Sequence, residues 1–181
     1  MGDIMKIESL FTKIYLLLAA VCLLTSCAAT GPLFEPVPAS VRKDNQVLIY
    51  IYRPDAFCAG GVSVTIYVND QETVELKNNG YTFVLTESGR HEIHATLPFR
   101  TSGTTIRFDT LGGETYFVKW DNVCGPSSSR STLGFVRNKQ AQTEIATTRL
   151  QPTFTKEDLE RRAQERKEAE EKREWDRAHG M

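Results

Sequence analysis

The stretch Val47-Leu48-Ile49-Tyr50-Ile51-Tyr52 decides the fold. It is a continuous apolar and aromatic run closed by Arg53-Pro54, with none of the polar alternation of a half-solvated strand. A short, β-branched and aromatic run bounded by a proline predicts a central strand covered on both faces. Downstream the pattern changes to alternation, with Val62, Val64, Ile66 and Val68 separated by Ser63, Thr65 and Tyr67. Asn69-Asp70 then offers a tight turn, so this segment predicts a half-buried strand entering a hairpin. Further strands are predicted over 73–77, 81–86, 90–97, 104–109, 116–121, 132–137 and 144–150, punctuated by Asn78-Asn79-Gly80, Ser88-Gly89 and Leu111-Gly112-Gly113. Short strands at this spacing predict a mainly β chain whose 47–152 region is one antiparallel β-sandwich.

After Pro152 the composition shifts. Thr155 is placed to cap a helix with Asp158 three residues on, and nearly every residue of 156–177 is charged. Glu157 with Arg161, Asp158 with Arg162, Glu168 with Lys172 and Lys172 with Asp176 stand at i,i+4. The expectation over 153–181 is a charged C-terminal helix of up to about 36 Å. Leu159, Ala163, Ala169, Trp175 and Ala178 make no sustained heptad. The helix is therefore expected to be solvated and to add little to the core, with Trp175 as the candidate contact for an envelope protein partner.

Upstream, residues 27–46 carry Pro32, Pro36 and Pro38 and the polar Arg42-Lys43-Asp44-Asn45. They read as an extended tether, long enough at 3.3 Å per residue to hold the domain up to roughly 60 Å from its attachment point. Before them, Lys6 and Lys13 precede an apolar run too short for a permanent membrane span, ending in Leu24-Thr25-Ser26-Cys27. This ending resembles the bacterial lipobox, whose cysteine sulfur receives a diacylglycerol before cleavage on its amino side. The expectation is a cleaved lipoprotein signal peptide over 1–26, a lipidated Cys27 at the new N-terminus, and attachment to the membrane through acyl chains, two or more of which hold stably. Ala28 as the second mature residue, in place of aspartate, points to the outer membrane, with the domain in the periplasm.

The net charge of −1 and pI near 6.3 give no electrostatic footprint for nucleic acid, and no such partner is expected. Of the four cysteines, Cys22 leaves with the leader and Cys27 is acylated, so Cys58 and Cys124 remain in an oxidising compartment. Each follows a predicted strand by a few residues, and both reach one end of the sheet if those strands run in the same direction. A disulfide is the leading expectation, against free buried thiols or a metal site; zinc needs four converging ligands, which two isolated cysteines do not supply.

Tyr50-Ile51-Tyr52-Arg53-Pro54, Ile66-Tyr67-Val68-Asn69-Asp70, Leu76-Lys77-Asn78-Asn79-Gly80-Tyr81 and Gly112-Gly113-Glu114-Thr115-Tyr116-Phe117-Val118 occur in that order. The series resembles a family of bacterial lipoprotein domains of unknown function, itself similar to the PEGA-type β-sandwich modules, over roughly 46–152. The resemblance implies a β-sandwich in the cell envelope and brings no catalytic residues. Cys58, Cys124 and the charged tail lie outside its motifs.

No metal, cofactor or catalytic residue is expected. His91 and His94 stand three apart on a strand and so face opposite sides of the sheet. Ser127-Ser128-Ser129 after Gly125-Pro126 lacks the strand-to-helix elbow of a nucleophilic serine. Gly112-Gly113 reads as a hairpin turn. Arg53 either anchors the loop bearing Cys58 or is a solvated strand-end cation. Tyr50, Tyr52, Tyr67, Tyr81, Phe83, Tyr116, Phe117 and Trp120 are explained by packing, unless some prove exposed as a carbohydrate or peptide platform. The expected function is thus a membrane-anchored, non-catalytic binding or structural module. The alternatives are an envelope hydrolase built on the loops of 124–131, or a subunit of a larger envelope assembly recruited through the C-terminal helix.

Overall fold

A computed structural model describes residues 28–98, 103–125 and 128–180. The leader, the lipidation candidate Cys27 and Ser127 lie outside the described residues. Strand β1 (Gln46–Arg53) is buried along its whole length after Gln46, as a strand covered on both faces must be. Eight more strands follow: β2 (Val64–Val68), β3 (Gln71–Leu76), β4 (Gly80–Glu87), β5 (Gly89–Thr96), β6 (Thr104–Thr110), β7 (Thr115–Cys124), β8 (Ser129–Phe135) and β9 (Arg149–Leu150). They form a sheet of order β8-β7-β1-β4-β9 and a second of order β3-β2-β5-β6. The two face each other across a shared core, in a sandwich-like arrangement. Val47, Ile49 and Ile51 of β1 with Val118 and Trp120 of β7 meet Val64, Ile66, Val74, Leu76, Ile93 and Ala95 of the other sheet. Asn69 and Asp70 take positive φ values of 50° and 63°, the I′-type geometry that suits a two-residue hairpin between β2 and β3.

The expected all-antiparallel pairing is corrected in the five-stranded sheet. β1 runs parallel to β7, with Tyr50 opposite Phe117, and β4 runs parallel to β9. Between β1 and β7 the chain builds the other sheet and part of its own, a long crossover of the kind parallel neighbours require. The strand expected over 144–150 is also corrected: a short helix, Asn138–Ile145, precedes a β9 of two residues. Its buried residues, Ala141 and Ile145, are four apart, the spacing of one helix face.

That helix and residues 28–38 together cover the second face of β1. Leu48, Tyr50 and Tyr52 are enclosed there by Tyr81, Phe117, Ala141 and Ile145, with Phe34 and Val37 packed alongside. The segment read as a free tether is therefore docked. Ala29 N–H donates to the Asn78 carbonyl and Phe34 N–H to that of Thr148, while the Pro32 carbonyl accepts from Leu150 N–H. Val37 N–H donates to the Tyr50 hydroxyl at 2.7 Å. The Phe34 ring sits edge-on to Tyr50 and Tyr81 at 5.3 and 5.2 Å. The prolines do enforce extended backbone, but here it is pinned to an aromatic face that would otherwise be wet.

The C-terminal helix, Lys156–Ala178, opens with the expected capping box between Thr155 and Asp158 and contains no buried residue. It is nonetheless attached. Arg162 contacts Glu72 at 2.6 Å and Glu75 at 3.1 Å, and Arg166 contacts Glu72 at 2.6 Å. The Arg162 guanidinium also lies over the Phe154 ring at 4.5 Å. Glu72 on β3 is only 7% exposed, so its two arginine partners hold its charge out of water. The helix thus adds no residue to the core, as expected, but is held by ion pairs that the expectation left out. Deleting 155–181 should destabilise the domain by about 1–2 kcal/mol, discounted from a fully buried pair because Arg166 and Glu75 are well solvated. Glu72→Gln in the full chain should reproduce most of that loss. Urea unfolding of the two variants beside the parent measures it, and an unchanged midpoint in both would show the contacts to be energetically silent.

Candidate functional site

Because β1 and β7 are parallel, the loops that follow them leave from the same end of the sheet. Cys58 and Cys124 meet there as a disulfide with Cα atoms 5.8 Å apart. Asn122 donates its side-chain amide to Cys58 Sγ at 2.8 Å and accepts from Ser131 Oγ at 2.9 Å. Beneath the bridge Arg53 is 1% exposed, its guanidinium over the Trp120 ring at 4.7 Å. It donates to the carbonyls of Ala59 and Val62 and, at 3.4 Å, to that of Leu76. Arg53 is therefore the loop anchor and not a solvated cation. Burial brings its pKa down to about 10, against the opposing pull of Asp121 and Asp55.

A second polar cluster locks the short helix to the sheet. Tyr52, fully buried, donates its hydroxyl to Glu144 at 2.8 Å, and Lys119 contacts the same carboxylate at 3.2 Å. Burial pushes the Glu144 carboxyl up, but hydrogen bonds from Gln140, Tyr52 and Lys119 outweigh it and hold the group below its ordinary range. Burial, then the bond to Glu144, pushes the Tyr52 phenol up.

The histidines are committed elsewhere. His91 is buried between Asn69 and the Glu87 carbonyl, and its Nε2 must donate to that carbonyl. His94 bonds Thr105 on the opposite face of the strand, as the three-residue spacing requires. His179 bonds the Trp175 carbonyl, and the two rings stack at 4.2 Å. Among the described residues no group of three or more His, Cys, Asp or Glu is placed to hold a metal ion. Around 124–131, Gly125 N–H donates to the Ser128 carbonyl at 2.7 Å.

The opposite end of the molecule carries an open aromatic groove. β6 and β8 are edge strands of different sheets that lie side by side without hydrogen bonding. Phe108 from β6, Tyr116 from β7 and Phe135 from β8 converge there, with Phe108 and Phe135 edge-to-face at 4.7 Å and Tyr116 at 5.9 Å from Phe108 and 6.3 Å from Phe135. They line a groove of about 700 Å³ with Asp109, Glu114 and Asn138 at its rim. Phe135 is 49% exposed. Tyr116 donates to the Glu114 carboxylate, which, more than burial, pushes its phenol up. Of the aromatics expected to pack, Tyr50, Tyr52, Tyr81, Phe117 and Trp120 are buried, whereas Tyr116 belongs to this groove. Phe108 and Phe135 escaped the sequence reading. The available signal was that Phe108 continues the inward alternation of Ile106 towards the end of an edge strand.

A family model covers residues 43–135, from just before β1 to the end of β8; its description is a protein of unknown function, DUF2846. The chain belongs to the DUF2846 family. No curated protein and no solved structure matches it. The DUF2846 match spans both sheets except β9 and includes Arg53, the disulfide and all three groove rings. Residues 28–38, the short helix and the C-terminal helix, the last bearing Trp175, lie outside it. The expected membership of a family without an assigned function therefore holds, over a span that ends at 135 and not at 152.

Proposed function

We propose that this DUF2846 protein is a lipid-anchored protein of the outer membrane whose β domain is a non-catalytic binding module, with the Phe108–Tyr116–Phe135 groove as its binding surface. The groove is the observation that carries the reading. Three rings line an open cleft between two sheet edges, and carboxylates stand at the rim. Aromatic faces bordered by acidic groups suit an apolar segment of an envelope protein flanked by basic residues. A kinship with PEGA-type modules belongs to the same proposal and is supported by the two facing sheets. The hydrolase alternative has less support, since Ser131 donates to Asn122 and each histidine is bonded away from 124–131.

Recruitment through the C-terminal helix is a second reading, favoured by Trp175, which is 51% exposed and stacks on His179. In-cell photocrosslinking separates the two. A photoreactive phenylalanine at position 135 should trap a discrete protein adduct, and Tyr116→Ala should diminish it. The same probe at 175 should trap none. Adducts at 175 alone would transfer the partner contact to the helix.

A further inference from the structure

One end of the molecule gathers features that the groove does not use. Ala28 pairs in parallel with Asn78, and Ala29 N–H donates to the Asn78 carbonyl at 2.9 Å. The described chain therefore begins docked beside Asn78. The Asn78 side chain in turn grips the loop after β1, accepting from Ala56 N–H at 3.1 Å and donating to Asp55 at 2.6 Å. The next residue is Phe57, whose relative exposure of 105% leaves its ring wholly in water. Cys58 then ties this loop to Cys124, and Val123 beside it is 62% exposed. The docked Ala28, a fully solvated phenylalanine and an exposed valine thus share one disulfide-bonded rim.

We infer that this rim is seated on the lipid surface, with Phe57 in the interfacial layer beside the acyl chains of Cys27. The inference rests on the lipid-anchor proposal. With Ala28 docked, no slack separates anchor from fold, so the tether length that would lift the domain off the membrane is absent. The charges at this end are mixed, Asp55 on the loop after β1 and Arg130 opposite Val123 on β8, so the seat needs apolar insertion and no anionic lipid. β6, β7 and β8 run the length of the molecule from this rim, and Phe108, Tyr116 and Phe135 stand at their other ends. Seated this way, the domain presents its groove away from the bilayer.

The test uses the full acylated chain in phosphatidylcholine vesicles with or without brominated acyl chains, which quench tryptophan only at short range. Intact mass first establishes acylation of Cys27. Phe57→Trp and Leu111→Trp are then compared after subtracting the parent signal of Trp120 and Trp175; Leu111 is 67% exposed at the β6–β7 turn, on the groove side. Brominated lipid should lower the fluorescence added at 57 by about twofold or more and leave that at 111 unchanged. Acylated protein in which 57 is not quenched, or 111 is quenched as strongly, overturns the seating and leaves the anchor intact. A chain without acyl mass overturns the anchor and the seating together.

Discussion

Replacing Cys58 and Cys124 by serine should lower the stability of the folded domain by about 4 kcal/mol. The bridge spans 66 residues, and closing so long a loop removes much of the freedom of the unfolded chain. The cost is expected near the chain-entropy value because the cysteines follow parallel neighbouring strands that are held side by side with or without the bond. The double variant loses little native contact besides the Asn122 amide bond to sulfur. Urea unfolding should show a lower midpoint, and reduction of the parent should produce the same shift. A loss below about 1 kcal/mol would mean that the unfolded chain already keeps the two loops together.

Arg53→Ala is the second large effect, a loss of about 3 kcal/mol. It strands the Ala59 and Val62 carbonyls, removes the cation over Trp120 and leaves a void beneath the disulfide loop. Arg53→Lys should recover less than half, because a single ammonium cannot span both carbonyls. The charge itself opposes folding: with its pKa drawn down to about 10, the unfolded chain binds the extra proton above that pH, so this group's contribution rises as pH increases through that range. The favourable part is the hydrogen bonding. Denaturation of both variants, with limited proteolysis in 54–62, reads the effect; a neutral Arg53→Ala would show the loop to be held by the disulfide alone.

The elements legible in the chain were those with local causes. Continuous burial of β1 followed from an unbroken apolar run, the 69–70 hairpin from two residues that tolerate positive φ, and the helix start from a capping box. What escaped was set by partners distant in sequence. The parallel pairing of β1 with β7 depends on a crossover of more than sixty residues, and nothing in either strand signals direction. The docking of 28–38 depends on an aromatic face that exists only after β1, β4 and β7 assemble. The short helix over 138–145 has no counterpart in the sequence reading, which begins a strand at 144: its buried residues are only Ala141 and Ile145, a pair too few to display a helical period. Glu72 was one charge among many until Arg162 and Arg166 arrived from the far end of the chain. The groove was hidden for a related reason: Phe108 and Phe135 reside on edges of different sheets, and their juxtaposition is tertiary.

We propose that Cys27 carries the lipid that places this domain in the envelope. Metabolic labelling with a palmitate analogue, read with the intact mass of the mature chain, tests it most directly. The parent should begin at Cys27, carry the label and float with membranes, and Cys27→Ser should lose the label and either release the domain or accumulate with its leader attached. Undiminished acyl labelling of Cys27→Ser would contradict the account.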